Sequence, residues 1–354
     1  MRHILFFLLS IGSVSVLAEP IPPHLGEWDF TDSASYFKSS GNFATSGTSS
    51  TDLINNGSFT AFDDTLGVSY DAFTSMRFSV NLGYANTSSS NNFTSYSGNG
   101  MSEGGASAQY WFRDKRWALV PTVSAEFPFY RNSTTQTSSY LGNGAVYGEG
   151  GGWGLLYYHP VTIYAYVGYR YQDSGLASLL MNDIGASYRF NVARIRVGVR
   201  GESTITNDND TGNLQNTFNR NLQMSLVQSG SMKYYSMNPT LWEGYGEADW
   251  LFTRMIEAGL GFSQTFYGNN SAFGWTVTGF FRFRLPTKEA RHESTSGGSE
   301  YGEAPPITEP IFAPVGTEED TPTPTRKGRR APPRQQKTID QMMQETEKSL
   351  EKKN

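Results

Sequence analysis

The sequence contains no cysteine, which excludes disulfides and thiolate metal centres. Histidine is nearly as scarce. The four are His3, His24, His159 and His292, placed in the leader, near the start of the mature chain, in a tight turn and in the tail. None lies on a strand interior or in a long loop. That removes the usual general base of hydrolytic sites and any imidazole pair for a metal. After the leader no run approaches the ~18 consecutive apolar residues of a transmembrane helix. A formal net charge of -5 gives no electrostatic case for nucleic acid. Asp208 and Asp210 read as solvated loop acids rather than a Ca²⁺ site. The expectation is therefore no enzyme, no catalytic residue, no metal and no cofactor.

Glycine (37), tyrosine (20) and phenylalanine (23) are abundant. The chain opens Met1-Arg2-His3, runs apolar over 4–17 and reaches Val16-Leu17-Ala18 before Glu19-Pro20. A basic start, an apolar stretch and a small final residue predict a secretory signal peptide over 1–18.

From there to residue 286 the dominant signal is a period of two, the mark of strands. In 273–285, Phe273, Trp275, Val277, Gly279, Phe281, Phe283 and Leu285 share one face, opposite Gly274, Thr276, Thr278, Phe280, Arg282 and Arg284. Met76, Phe78, Val80, Leu82 and Tyr84 oppose Arg77, Ser79, Asn81 and Gly83. Ile163, Ala165, Val167, Tyr169 and Tyr171 oppose Thr162, Tyr164, Tyr166 and Arg170. An apolar, aromatic face behind a charged one suits a wall between lipid and water. About twelve such strands are expected, near 35–44, 58–72, 75–85, 103–112, 117–130, 146–158, 161–172, 183–190, 193–202, 241–252, 255–267 and 273–285.

The connections alternate too. Residues 72–74, 113–116, 159–160, 191–192 and 253–254 are tight turns. Between them lie longer Ser/Thr/Asn/Gly-rich loops at 45–57, 86–102, 131–145, 173–182 and 203–240, with a short one at 268–272. An even-stranded up-and-down barrel has short periplasmic turns, longer outer loops and both termini in the periplasm. Lipid solvates no backbone, so a membrane-spanning sheet must close on itself. The expected architecture is all-β: a transmembrane antiparallel barrel over 34–286, led by a periplasmic segment at 19–33. The lumen of such a barrel is narrow, or partly plugged by loops or by 19–33. Beyond it, 287–338 is rich in Pro, Glu, Thr and Arg and reads as a disordered linker. Residues 339–354 read as a short amphipathic helix through Ile339, Met342, Met343 and Leu350.

Water-facing charges are the candidate functional residues. Arg194, Arg196 and Arg200 share the inner face of their strand with Glu202. Glu243, Tyr245, Glu247 and Asp249 face inward on the next, followed by Glu257, then Arg282 and Arg284. Two readings stand side by side. In one, these charges set a transverse field across a water-filled constriction and tune passage. In the other, they pair, fill the lumen and hold the barrel together. Trp117, Phe127, Trp242, Trp250, Trp275 and Phe283 are candidates for interface girdles, and inward Tyr164, Tyr166 and Tyr245 for ligand stacking.

Within 34–86, Tyr36-Phe37, Asn56-Gly57-Ser58-Phe59, Leu66-Gly67-Val68-Ser69-Tyr70 and Met76-Arg77-Phe78-Ser79-Val80 resemble the start of the outer-membrane proteins of phenol-degradation meta pathways. These are relatives of the FadL-type transporters. The resemblance implies uptake of small, hydrophobic molecules. Such barrels commonly end on an aromatic residue read by the assembly machinery, whereas here Phe283 and Leu285 precede the long tail.

The expected function is an outer-membrane channel or diffusion transporter for small solutes. Its expected partners are outer-membrane lipid, the solutes and the outer-membrane assembly machinery. The alternative is a plugged barrel acting as an anchor or interaction protein. Its outer loops, and a tail engaging the cell wall or a periplasmic partner, would then do the work.

Overall fold

The computed structural model describes residues 20–44 and 46–286. The leader, the linker at 287–338 and the helix expected at 339–354 lie outside the described residues. Twelve long strands form one closed antiparallel barrel: β1 (Glu27–Phe43), β2 (Ser58–Phe73), β3 (Met76–Ser90), β4 (Ser95–Tyr110), β5 (Trp117–Pro128), β6 (Tyr147–Tyr158), β7 (Val161–Gln172), β8 (Ser178–Arg189), β9 (Ala193–Thr206), β10 (Thr240–Thr253), β11 (Ile256–Asn269) and β12 (Ser271–Pro286). Neighbours in sequence pair in space, and β1 closes against β12 from Glu27↔Pro286 to Phe43↔Ser271. Two further strands, Thr51–Asp52 and Phe112–Arg113, attach to β1 and β5. Closure leaves no open edge, the condition a sheet in hydrocarbon must meet.

The expected faces hold. On β12, Val277, Phe281 and Leu285 are exposed while Thr276 is buried. On β7, Ile163, Val167, Tyr169 and Tyr171 are exposed, and Tyr164 and Tyr166 are buried. The outer wall is thus an apolar belt, with aromatics towards its margins. Trp28 packs on Tyr70 at the end of the tight turns (the turn end), with ring centroids 4.6 Å apart. Tyr36 packs on Trp275 nearer the opposite, loop end, at 5.7 Å. Of the six expected girdle residues, Trp117, Phe127 and Trp250 are exposed; Trp242, Trp275 and Phe283 are partly so. Asp32 and Asp64 interrupt the belt. They are diagonal neighbours on the outward faces of β1 and β2.

Three expected boundaries are corrected. First, β1 begins at Glu27, so residues 27–33 belong to the wall rather than to a leading segment. Inward Glu27 and Asp29 hide the strand, because acids in a short alternation resemble a loop. Second, the loop expected at 86–102 shrinks to 91–94, since β3 runs to Ser90 and β4 starts at Ser95. There the Asn91 Oδ1 accepts from the amides of Phe93 and Thr94, both at 2.9 Å. Likewise β8 starts at Ser178 and β9 reaches Thr206. These extensions rise beyond the apolar belt. Over 86–102 both faces are largely polar, and over 178–182 both carry apolar residues, with Leu179 and Met181 buried, so the ladder continues while the polar–apolar period disappears.

Third, the loop expected at 203–240 carries an α-helix, α1 (Leu214–Val227). Asn213 caps it, with Oδ1 accepting from the amides of Gln215 and Asn216 at 3.1 and 3.2 Å. Met224 and Val227 pack with Tyr140 in a buried cluster. Leu214, Phe218, Leu222 and Leu226 form an exposed ridge, spaced four apart along the helix. Apolar residues on two ridges leave no single amphipathic face to announce the helix.

Candidate functional site

Alternation aims one residue in two at the lumen, and the inward set differs between the two ends. At the turn end, acids and arginines alternate around one arc of the wall. Arg77 binds Asp71 through two hydrogen bonds of 2.6 and 2.8 Å, and reaches Asp29 at 3.0 Å. Asp29 lies 3.5 Å from Arg284, which meets Glu257 at 2.8 Å. Glu257 also binds Arg282 at 3.0 Å and Arg194 at 3.4 Å. Arg194 continues to Asp249 at 2.9 Å, Asp249 to Arg196 at 3.0 Å, and Arg196 to Glu247 at 3.0 Å. The register dictates part of this, because Arg194↔Asp249 and Arg196↔Glu247 are direct cross-strand partners on β9 and β10.

The opposite arc is apolar. Trp111, Ala118, Val120, Trp153, Leu155, Tyr164, Tyr166 and Leu179 are buried together. Tyr245 bridges the two arcs: its hydroxyl donates to Asp183 Oδ1 at 2.8 Å and lies 2.8 Å from the Tyr164 hydroxyl. Arg196 is 1 % exposed and Tyr164 1 %. The turn half of the lumen is therefore filled.

The loop half holds a cavity of about 290 Å³, joined along shared residues by a smaller one of about 60 Å³. Arg170 and Arg200 reach it from β7 and β9, each with a carboxylate. Arg170 meets Glu149 at 2.7 Å, and Arg200 hydrogen-bonds Glu243. Ser263 also donates to Glu243, at 3.0 Å, and Tyr166 to Glu149, at 2.5 Å. Phe37, Asp63, Glu103, Tyr147, Glu202, Lys233 and Tyr234 also line it.

Lys233 and Tyr234 come from the β9–β10 connection, which folds back into the lumen after α1. Buried Arg220 ties the helix to the returning strand of that loop. It donates to Asp208 Oδ2 at 2.8 Å and to the carbonyls of Tyr235 and Ser236 at 2.7 and 3.1 Å, with its guanidinium 3.9 Å above the Tyr235 ring. Asn42, at the end of β1, clips the descending backbone. Its Nδ2 donates to the Gly230 carbonyl at 2.7 Å and its Oδ1 accepts from the Met232 amide at 2.9 Å. Gly230 sits at φ 82, a conformation glycine tolerates without strain. The Tyr234 hydroxyl then reaches Asp63 at 3.3 Å. A loop thus enters and partly fills the lumen, one of the two expected routes. Of the other route, residues 27–33 are wall strand, while just before them the His24 amide donates to inward Asp71 Oδ2 at 2.8 Å.

A second loop, 129–146, is anchored by Asp173. Despite desolvation, which raises it, the Asp173 carboxyl is held below its ordinary value. The cause is hydrogen bonds from Arg131 (3.0 Å), Ser174 (3.0 Å) and the Val146 amide (2.8 Å).

All ten residues singled out in the sequence face inward. Arg194, Arg196, Glu247, Asp249, Glu257, Arg282 and Arg284 join the turn-end network. Their acids and bases alternate along one arc and pair with one another. Arg200 and Glu243 pair at the cavity, and Tyr245 sits below them. Asp29, Asp71 and Arg77 complete the network and were not among the ten. Arg170, Asp63, Glu103, Glu202, Lys233 and Tyr234 complete the cavity. Strand alternation already placed Arg77, Arg170 and Glu202 inside; nothing local places Lys233, because its position depends on a loop returning from α1.

No family model and no curated protein matches the sequence. In structure the chain is similar to an outer membrane channel from Pseudomonas putida F1. The identity is 11% over 77% of this chain and 100% of that one, with a TM-score of 0.56. It overlaps more loosely with the translocator domain of the autotransporter NalP from Neisseria meningitidis (11% identity, 80% and 93% covered, TM-score 0.42). The NanC porin gives 9% identity, 72% and 100% covered, and a TM-score of 0.42. The first likeness supports the barrel fold; the other two add nothing to it.

Proposed function

We propose that the chain spans the bacterial outer membrane, with both termini on the periplasmic side, and acts as a low-conductance diffusion channel for small solutes. The observation that carries this reading is a closed ladder combining an apolar outer belt with a chamber of about 290 Å³ lined by charged and polar residues behind the loops. Solute would enter at the loop end and rest in the chamber. It would pass the turn half only as far as the salt-bridge network yields. Arg200 and Glu243 would tune which charge is admitted, and the turn-end arginines and acids would set the barrier. No covalent chemistry is assigned. The segments resembling the phenol meta-pathway proteins lie in β1, at the start of and within β2, and in β3, and support uptake of small molecules. Residues 287–354 are left to a cell-wall or periplasmic partner.

One observation favours a second reading. Every turn-end carboxylate and arginine of the network has a partner, as a permanently plugged anchor would have. Planar-bilayer recording of the purified barrel separates the two. Small, resolvable ion steps support the channel; a barrel silent at every applied voltage supports the anchor.

A further inference from the structure

The chamber's charges do not balance among themselves without the loop. Apart from Lys233, the wall presents Asp63, Glu103, Glu202 and Glu243 against only Arg170 and Arg200. Both guanidiniums are already engaged, Arg170 by Glu149 and Arg200 by Glu243. The remaining positive charge is brought in by the returning loop. The Lys233 ammonium sits 4.3 Å from the centroid of the Phe37 ring and 6.0 Å from that of Tyr234. It is within electrostatic reach of Asp63, Glu202 and Glu243. Yet among the described residues no carboxylate comes within salt-bridge distance of Nζ, and no acceptor hydrogen-bonds it. A buried structural lysine normally ends on a hydrogen-bonded partner. This one ends on an aromatic face, in the way aromatic surfaces hold ligand cations. The side chain is only half-buried and hangs on a flexible four-carbon stem.

We propose that this seat is a binding site for a small organic ammonium, a protonated alkyl- or arylalkylamine, and that Lys233 occupies it when no ligand is present. The aromatic faces of Phe37 and Tyr234 receive the ammonium, and the Glu202 carboxylate supplies the compensating charge. Leu141 and Leu241 offer apolar surface to the hydrocarbon part. The loop thereby acts as a tethered competitor, since ligand and Lys233 cannot share the seat. The inference rests on the chamber being a solute site, but binding does not require that solute pass through.

The test uses the folded full chain in detergent micelles and isothermal titration with two probes of similar size, butylammonium and butyrate. Lys233→Met keeps the stem and removes the charge. Butylammonium should bind it about tenfold tighter than wild type, as expected for removing one competing cation from an aromatic seat. Lys233→Arg should bind as wild type does. Adding Glu202→Gln to Lys233→Met should abolish the gain. Equal butylammonium affinity in wild type and Lys233→Met would overturn the proposal. So would butyrate binding to wild type that Lys233→Met loses, which would make Lys233 a receptor for anions. If Lys233→Met does not fold, Lys233→Gln takes its place, and heat-modifiable migration reports folding for each variant. Binding with no conductance would sink the channel reading and leave this one standing; conductance with no binding would do the reverse.

Discussion

In the turn half of the lumen, Asp29, Asp71, Glu247, Asp249 and Glu257 meet Arg77, Arg194, Arg196, Arg282 and Arg284, and each charge is matched by a neighbour on an adjoining strand. In the loop half, Glu202 and Lys233 share a cavity without touching an opposite charge. The residue types are the same and the outcomes differ because of where the charges are held. Turn-end charges sit on rigid paired strands, so cross-strand register brings partners together and keeps them there. The loop-end cation rides on a connection that must leave the barrel, form a helix and return. Charges fixed by the ladder serve structure; a charge delivered by a loop can be displaced, and displacement is what a binding site needs.

The largest effect is expected from Glu257→Ala. Glu257 is shared by Arg194, Arg282 and Arg284, so its removal strands Arg282 in a filled interior and leaves Arg194 and Arg284 with Asp249 and Asp29 alone. A loss of about 3–5 kcal/mol is expected, read by urea unfolding in lipid vesicles. A loss below about 1 kcal/mol would mean the turn half is as hydrated as the loop half. Next comes Val277→Arg, which turns the outer belt against lipid at a cost of about 2–4 kcal/mol near the bilayer midplane. Heat-modifiable folded protein should fall sharply, and wild-type yield would put the two faces of β12 the other way round. Glu202→Gln should change unfolding stability by only about 0.5 kcal/mol, because no partner is lost. A cost like that of Glu257→Ala would place Glu202 in the structural network.

The smallest effect is one of pH. Because the Asp173 carboxyl is held below its ordinary value, its contribution is fully present above the unfolded carboxylate range. It is lost as pH falls through the lower folded value. Amide exchange in 129–146 should therefore rise in acid, below about pH 4, before the barrel strands respond. Asp173→Asn should show that fast exchange at neutral pH.

Much of this wall could be read from alternation alone, and only where the wall meets an apolar phase. β7 is bounded in the sequence as in the structure, because Ile163, Val167 and Tyr171 contrast with Thr162, Tyr166 and Arg170. Above the belt the contrast vanishes, so the polar run from Asn86 to Ser90 reads as loop while its backbone still pairs with 95–99. The acid-rich start of β1 fails for a related reason: Asp29 is inward because Arg77 and Arg284 wait for it, and neither is near it in sequence. The inward direction of the ten candidate residues followed from parity. Their division into a sealed network and a cavity did not, because it depends on which strands adjoin and on where one loop comes back. Lys233 is the extreme case, a cation whose seat on Phe37 lies nearly two hundred residues away in sequence.

The central claim is that the lumen is a solute path whose barrier lies in the turn half. Single-channel recording of wild type beside the charge-balanced double variant Arg196→Ala with Glu247→Ala tests it most directly. Removing a facing pair leaves the network neutral and opens space beside Tyr245. Small, resolvable current steps are expected from wild type and clearly larger ones from the folded variant. Silence from both folded proteins at every voltage would contradict the claim and make the barrel an anchor.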